Sequence, residues 1–178
     1  MSDLPYHRVK TILDRVLGGF LVALMAITVL NVLWQVATRF VLGSPSSVTE
    51  ELARYLLIWI GILGASYSVG QRSHLALELL PETLEGRSLQ RLQQAILLFV
   101  GLFALLVMVV GGIRLVYLQF LLGQTSSALG WPLGAVYLVV PLAGFVMLAY
   151  VGIFFLLLRK EGIKALREVS TRSSSSAA

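Results

Sequence analysis

Long apolar runs separated by short polar stretches dominate the chain. Four runs are free of charge or nearly so, and they cover residues 16–38, 52–69, 95–113 and 132–158. A helix needs about 20 apolar residues to cross roughly 30 Å of hydrocarbon. Because lipid offers no hydrogen-bonding partner, backbone groups inside it must pair within their own segment, which a helix achieves. The pattern predicts an all-α integral membrane protein with four transmembrane helices.

Turn residues and charges set the predicted limits of these helices. Gly43 and Pro45 mark a turn, so the second helix is expected to begin near Val48. The predicted spans are then about 16–38, 48–70, 92–115 and 132–158. They form a membrane domain over 16–158, between an N-terminal segment 1–15 and a basic tail 159–178 that is expected to be disordered. Pro141 should kink the fourth helix, because its ring frees the carbonyl of Tyr137.

The positive charges are distributed unevenly between the two sides of this topology. Eleven Lys and Arg residues lie in the N-terminal segment, the loop between the second and third spans and the C-terminal tail, whereas only Arg39, Arg54 and Arg114 fall on the other side. Cytoplasmic loops carry the excess of Lys and Arg, so both termini are predicted to be cytoplasmic. In the loop 71–94, leucines precede Pro81 and predict a short interfacial segment along the membrane surface.

Composition supports the membrane assignment and narrows the function. The 178 residues are 57% hydrophobic and 13% charged, and the mean hydropathy is +0.86. Soluble domains average about 45–50% apolar and about 25% charged residues. The net charge of +5 comes from residues that flank apolar runs rather than from one basic face, so no nucleic acid partner is expected. The absence of cysteine excludes disulfides and thiolate chemistry.

Few residues have the character or spacing of a catalytic site. The two histidines, His7 and His74, fall outside the spans, so haem ligation within the helices is not expected. Glu50 and Glu51 are adjacent on a helix and therefore point in different directions, which argues against an acid–base pair. No metal-ligand spacing or phosphate-binding loop is present. We expect no enzyme activity, no cofactor and no bound metal.

Asn31, Gln35 and Arg114 are the polar residues of the predicted spans that could mark a solute or ion path. Asn31 and Gln35 stand four apart on the first helix, and neutral amides in that arrangement more often join helices by hydrogen bonds than bind a transported ion. Arg114 lies well along the third helix, where its side chain could extend to the headgroups. The chain lacks the mid-membrane ionisable site that pumps and exchangers generally need.

Small residues suggest close packing between helices. On the second helix they share one face that would suit the approach of another helix, and they are Gly61, Gly64, Ala65 and Ser68. Packing within the chain could use such a face. Four helices offer limited mutual burial, however, so the face also suits a larger membrane partner.

Three segments together resemble a known family. They are residues 31–42 (NVLWQVATRFVL), 49–59 (TEELARYLLIW) and 123–130 (GQTSSALG), accompanied by Gly64, Ala65 and His74. These segments are similar to the DctQ-like small permease subunit of TRAP transporters, the tripartite ATP-independent periplasmic systems. The likeness extends over roughly residues 13–158, and its most specific part is the Thr49–Tyr55 segment.

The resemblance implies a function in secondary transport at the bacterial inner membrane. In that family the small subunit pairs with a large permease subunit of many spans, and a periplasmic receptor delivers an organic-acid-like solute. An ion gradient, commonly of sodium, drives uptake. The small subunit would brace the large one within the lipid. The residues expected to contact these partners are Arg39, Glu50, Glu51, Arg54 and Gln124, and those expected to pack helices are Asn31, Gln35, Gly61, Gly64, Ala65 and Ser68.

Two alternatives belong to other functional classes. A stand-alone oligomeric exporter or channel would need a polar path, for which Asn31, Gln35 and Arg114 are the available residues. A membrane-anchored enzyme or cytochrome would need acid–base pairs or axial ligands that the sequence lacks.

Overall fold

Four long helices make up the part of the chain that the computed structural model describes, which is residues 5–41, 43, 46–72 and 87–161. Helix α1 covers Pro5–Val41 and α2 covers Ser47–Arg72. Helix α3 runs from Arg87 to Leu121 and α4 from Leu133 to Glu161. All four are long and apolar enough to cross a membrane. The prediction of an all-α membrane protein with four transmembrane helices is confirmed.

The helices extend beyond the predicted spans. Helix α1 begins at Pro5, so most of the predicted N-terminal segment is helical and continuous with the first span. The predicted interfacial segment before Pro81, with His74, and the tail beyond Glu161 lie outside the described residues.

Helix α3 changes its hydrogen-bonding pattern along its length. An α-helical segment Arg87–Phe103 is followed by a π-helical segment Ala104–Gly111 and a second α-helical segment Gly112–Leu121. The π segment packs against α4 at Gly144, where an added Cβ would lie 2.9 Å from the Cβ of Met108. Glycine at this position therefore lets the two backbones approach closely.

Helix α4 is interrupted near its beginning. A short helix Leu133–Tyr137 is interrupted at Leu138, and the helix resumes over Val139–Glu161. Pro141 has no N–H to donate to the carbonyl of Tyr137, which accounts for a break at this point. The proline ring packs against α3, because a Cβ on Gly112 would lie 2.9 Å from the Cδ of Pro141.

The helices pack in a spatial order that differs from their order in the chain. Helix α1 packs on α2, α2 on α4, and α4 on α3. Of the most apolar stretch of each span, 44% is buried in α4 and 17% in each of the others, so α4 is the central helix. The main core cluster comes from α1, α2 and α4, and consists of Leu17, Leu24, Leu63, Val139, Ala143, Tyr150, Ile153, Phe154 and Leu158.

Both ends of the described chain lie at one end of this assembly. Asp14, near the start of α1, contacts Tyr150 in the last part of α4. We call this the terminal end, and we call the opposite end, which carries the connections α1–α2 and α3–α4, the loop end. Placement of the terminal end in the cytoplasm remains a prediction from the positive charges.

Candidate functional site

Glu51 in the first turns of α2 holds the loop between α3 and α4. One carboxylate oxygen accepts a hydrogen bond from the hydroxyl of Tyr55 at 2.6 Å. The other accepts from the backbone N–H groups of Ala128 and Leu129, at 2.8 and 3.2 Å. Hydrogen bonds from N–H groups to a carboxylate are stronger than those to a neutral acceptor. The carboxylate of Glu51 is thus used inside the chain, as a clamp on the loop.

The clamped loop has a defined backbone of its own. Gly123 has φ +59° and ends α3, while the N–H groups of Gly123 and Gln124 donate back to the carbonyls of Phe120 and Gln119. This is the Schellman arrangement, in which the left-handed residue is usually glycine. Next, the N–H of Ser126 donates to the carbonyl of Trp131 at 2.8 Å, which closes the loop.

Glu50 has a different environment from its neighbour. Its carboxylate pairs with Arg54 at 3.3 Å, and the two side chains are 59% and 65% exposed. The adjacent acids therefore face different surroundings: Glu51 binds the loop and Glu50 faces outward. An exposed pair four residues apart contributes little to stability, on the order of 0.3–0.5 kcal/mol.

Helix α1 is fastened to α2 at the same end. The side-chain amide of Asn31 donates to the backbone carbonyl of Thr49 at 2.8 Å. Gln35 lies one turn further along α1 and is half-buried. Arg39 and Gln124 are exposed at the loop end, where a partner could reach them.

The small residues of α2 differ in their surroundings, and the two glycines have open space beside them. A Cβ added to Gly61 or Gly64 would meet nothing within 4 Å. Ala65 is exposed and Ser68 is half-buried. Gly61 and Ala65 are accessible because α2 uses a different face to pack against α4.

That other face of α2 makes direct polar contacts with α4. The indole N–H of Trp59 donates to the carbonyl of Val136, and the hydroxyl of buried Ser66 donates to the carbonyl of Ala143, both at 3.0 Å. Both bonds join α2 to the backbone of α4 and so fix the register of the two helices. Further along, Gly70 makes the closest approach: a Cβ there would lie 2.5 Å from the ring of Tyr150.

The exposed face of α2 forms one continuous stripe from the loop end into the span. Helical spacing places Glu50, Arg54, Leu57, Gly61 and Ala65 on the same side, and all five are exposed. We call these five residues the α2 stripe. The structure thus brings two of the predicted partner contacts and two of the predicted packing residues together on one surface.

A polar network at the terminal end was missed at the sequence level. Lys10 is buried and pairs with Asp14 at 2.9 Å, and Asp14 accepts a hydrogen bond from the hydroxyl of Tyr150 at 2.6 Å. The spacing of Lys10 and Asp14, four residues apart, signals their pairing. No local pattern indicates the third member, because Tyr150 is 136 residues away from Asp14.

The loop end and the exposed face of α2 present side chains that another protein could contact. Among the described residues, no group of three or more His, Asp or Glu side chains could hold a metal ion. The loop end combines a rigid loop with an exposed ion pair, and the span below it offers an accessible helix face. Such features suit docking of another protein within and at the edge of the membrane.

Comparisons with known proteins agree with this description. A family model described as "Tripartite ATP-independent periplasmic transporters, DctQ component" matches residues 28–160. A TRAP transporter small permease protein of Haemophilus influenzae is 28% identical over 139 residues, which cover 77% of this chain and 83% of that protein. The sialic acid TRAP transporter small permease protein of Vibrio cholerae is 29% identical over 124 residues, 66% of this chain and 72% of that protein.

Proposed function

This chain belongs to the DctQ family of TRAP transporter small permease subunits, and we propose that it braces the large permease subunit during solute uptake. As a family member with four apolar helices, it is a multi-pass protein of the bacterial inner membrane. In the proposed complex, the large subunit carries the solute and moves it, and this chain supplies a fixed surface in the lipid.

The observation that carries this proposal is the exposure of the helices to the surrounding membrane. Only the central helix α4 buries a large part of its apolar span within the chain. Association of membrane helices depends on close packing and on interhelical hydrogen bonds rather than on hydrophobic burial. The α2 stripe, with Gly61 and Ala65, offers a surface of that kind to a neighbouring helix.

The loop end suits contact with the periplasmic side of the complex. With the termini in the cytoplasm, Arg39, Glu50, Arg54 and Gln124 would face the periplasm, where the receptor delivers its solute. Glu51 would act indirectly, because it holds the loop that presents Gln124.

The solute is proposed to be a small organic anion taken up with an ion gradient. The Vibrio cholerae relative is named for sialic acid, which is itself a carboxylic acid. The described residues of this chain contain no mid-membrane carboxylate, so the coupling-ion site would reside in the large subunit.

Co-purification tests this proposal. We expect the tagged chain, co-expressed with the large TRAP permease of the same bacterium, to retain that permease through detergent extraction and size exclusion. Glu50→Lys and Arg54→Glu should both still insert into the membrane. Each of the two variants should lower solute uptake or recovery of the complex. A chain that elutes alone, and that moves solute when reconstituted by itself, would instead be the stand-alone exporter or channel.

A further inference from the structure

Arg114 lies on α3 about two turns before the helix ends at Leu121. Two contacts with α4 bracket it: a Cβ on Gly112 would meet Pro141, and a Cβ on Gly134 would meet the ring of Phe120. Leu121, where the helix ends, is seven positions after Arg114, and this corresponds to about 10 Å at 1.5 Å per residue. Arg114 is therefore about 10 Å inside the loop end.

The side chain of Arg114 faces away from the rest of the protein. Buried Gly112 and half-buried Val116 face α4, and Arg114 lies on the opposite side of α3. Val110, Tyr117 and Leu121 share its side and are 56%, 65% and 67% exposed. We call these four residues the α3 face. Within the described ranges, the exposed guanidinium of Arg114 makes no hydrogen bond or ion pair.

The same level of the neighbouring helices carries no charge. The contacts Trp59–Val136 and Ser66–Ala143 mark this level on α2 and α4. Glu50, Glu51 and Arg54 lie nearer the loop end. Lys10 and Asp14, which contact each other and Tyr150, lie further towards the terminal end. Arg114 is thus the single charge in this layer of the described structure, where the other polar side chains, such as Ser66, are neutral and hydrogen-bonded.

An exposed cation in this layer needs an anion or water. Charged residues within membrane spans almost always face a helix bundle or a cavity and pair with other groups. An extended arginine side chain reaches roughly 7 Å, as six bonds of about 1.5 Å in zigzag. That reach is shorter than the distance to the end of α3, and the intervening surface is made of exposed leucines such as Leu118 and Leu121.

We propose that the α3 face docks a transmembrane helix of the large permease subunit that presents an Asp or Glu carboxylate to Arg114. The planar guanidinium can bind a carboxylate through two parallel hydrogen bonds, which gives the contact a defined register. Tyr117 and Leu121 would flank the ion pair and keep lipid and water away from it. This inference rests on the proposed function, since it names the surface and the chemistry of the same assembly.

Photo-crosslinking in the intact complex tests the location. A photoreactive phenylalanine analogue at position 117 or 121 is expected to crosslink to the large permease. The same analogue at position 145, where Phe145 is exposed on α4, is the control for a different surface. If the permease co-purifies but positions 117 and 121 capture only lipid, the α3 face is not the docking site and Arg114 extends to headgroups. If the permease does not co-purify at all, the proposed function fails together with this inference.

Substitution of Arg114 tests the ion pair. Arg114→Leu should lower recovery of the complex by about tenfold or more, because the partner's carboxylate loses its counter-charge in lipid. Arg114→Lys, which keeps the positive charge, should retain part of the recovery of the complex. Arg91→Leu is the matched control, since Arg91 is exposed at the terminal end of the same helix. Neutralising the matching carboxylate in the permease should restore assembly of Arg114→Leu. Undiminished recovery with Arg114→Leu would overturn the proposal.

Discussion

The hydroxyl of Tyr150 donates a 2.6 Å hydrogen bond to the carboxylate of Asp14, and this contact joins α4 to α1 towards the terminal end. Asp14 also pairs with Lys10, which is only 4% exposed. The carboxylate therefore satisfies two buried groups at once. Loss of this carboxylate would leave a lysine buried without its counter-charge.

We predict a graded loss of stability in this network. Asp14→Leu should lower the free energy of unfolding by about 3–5 kcal/mol, because it leaves Lys10 unpaired. Tyr150→Phe should cost about 1.5–3 kcal/mol, because it removes one hydrogen bond to a charged group. Tyr117→Phe is the matched control on an exposed tyrosine and should have little effect. Denaturation in detergent micelles measures all three, and equal stability of Asp14→Leu and the wild type would refute the assignment.

Two glycines of α2 should respond in opposite ways to alanine. Gly70→Ala forces a Cβ to within 2.5 Å of the ring of Tyr150, and we expect a loss of about 1–3 kcal/mol from overpacking. Gly61→Ala meets no other atom and gains helix propensity of up to about 1 kcal/mol. Thermal unfolding of the purified chain compares the two, and similar destabilisation by both would contradict the packing described for α2.

Bulk at Gly61 should act on assembly and not on the fold. Gly61→Leu is expected to leave the isolated chain as stable as the wild type, because nothing in the chain covers the α2 stripe. The same change should reduce association with the large permease, because the permease covers the stripe in the proposed complex. Gly152→Leu, on α4, is the control, since Gly152 also has open space around it. Full recovery of the complex with Gly61→Leu would show that the α2 stripe is not part of the interface.

Glu51 and Glu50 should be separable by hydrogen exchange. Glu51→Ala removes the acceptor for the N–H groups of Ala128 and Leu129, so exchange in the segment 126–130 should accelerate severalfold. Glu50→Ala, which removes a partner of Arg54 only, should leave that segment unchanged. Mass spectrometry on peptides from this loop measures the exchange rate in both variants. The same acceleration in both would mean that the clamp does not depend on Glu51.

Four spans and the interruption near Pro141 could be predicted from the sequence because each depends on local chemistry. Apolar length identifies a span, and a proline removes a hydrogen bond wherever it stands in a helix. The pairing of Glu50 with Arg54 is equally local. These features need no knowledge of which helices are neighbours.

The spatial order of the helices and the long-range contacts could not be predicted in this way. In lipid, the face of a helix that packs inward is as apolar as the face that contacts lipid, so periodicity does not identify neighbours. The sequence left open whether Gly61 and Gly64 pack within the chain or against a partner, and within the chain α2 packs on α4 through Ser66 and Gly70. The contact of Glu51 with the loop could not be predicted either, since Ala128 lies 77 residues away; contact of Glu51 with a partner stays a prediction.

The central claim, that this chain is a brace and not itself a transporter, is tested most directly by reconstituted uptake. Liposomes would contain the large permease with this chain, the large permease alone, or this chain alone, each with the purified receptor and an inward sodium gradient. We predict uptake of the receptor's solute only where both membrane subunits are present, and none from this chain alone. Gradient-dependent uptake by this chain alone, or undiminished uptake by the large permease without it, would contradict the claim.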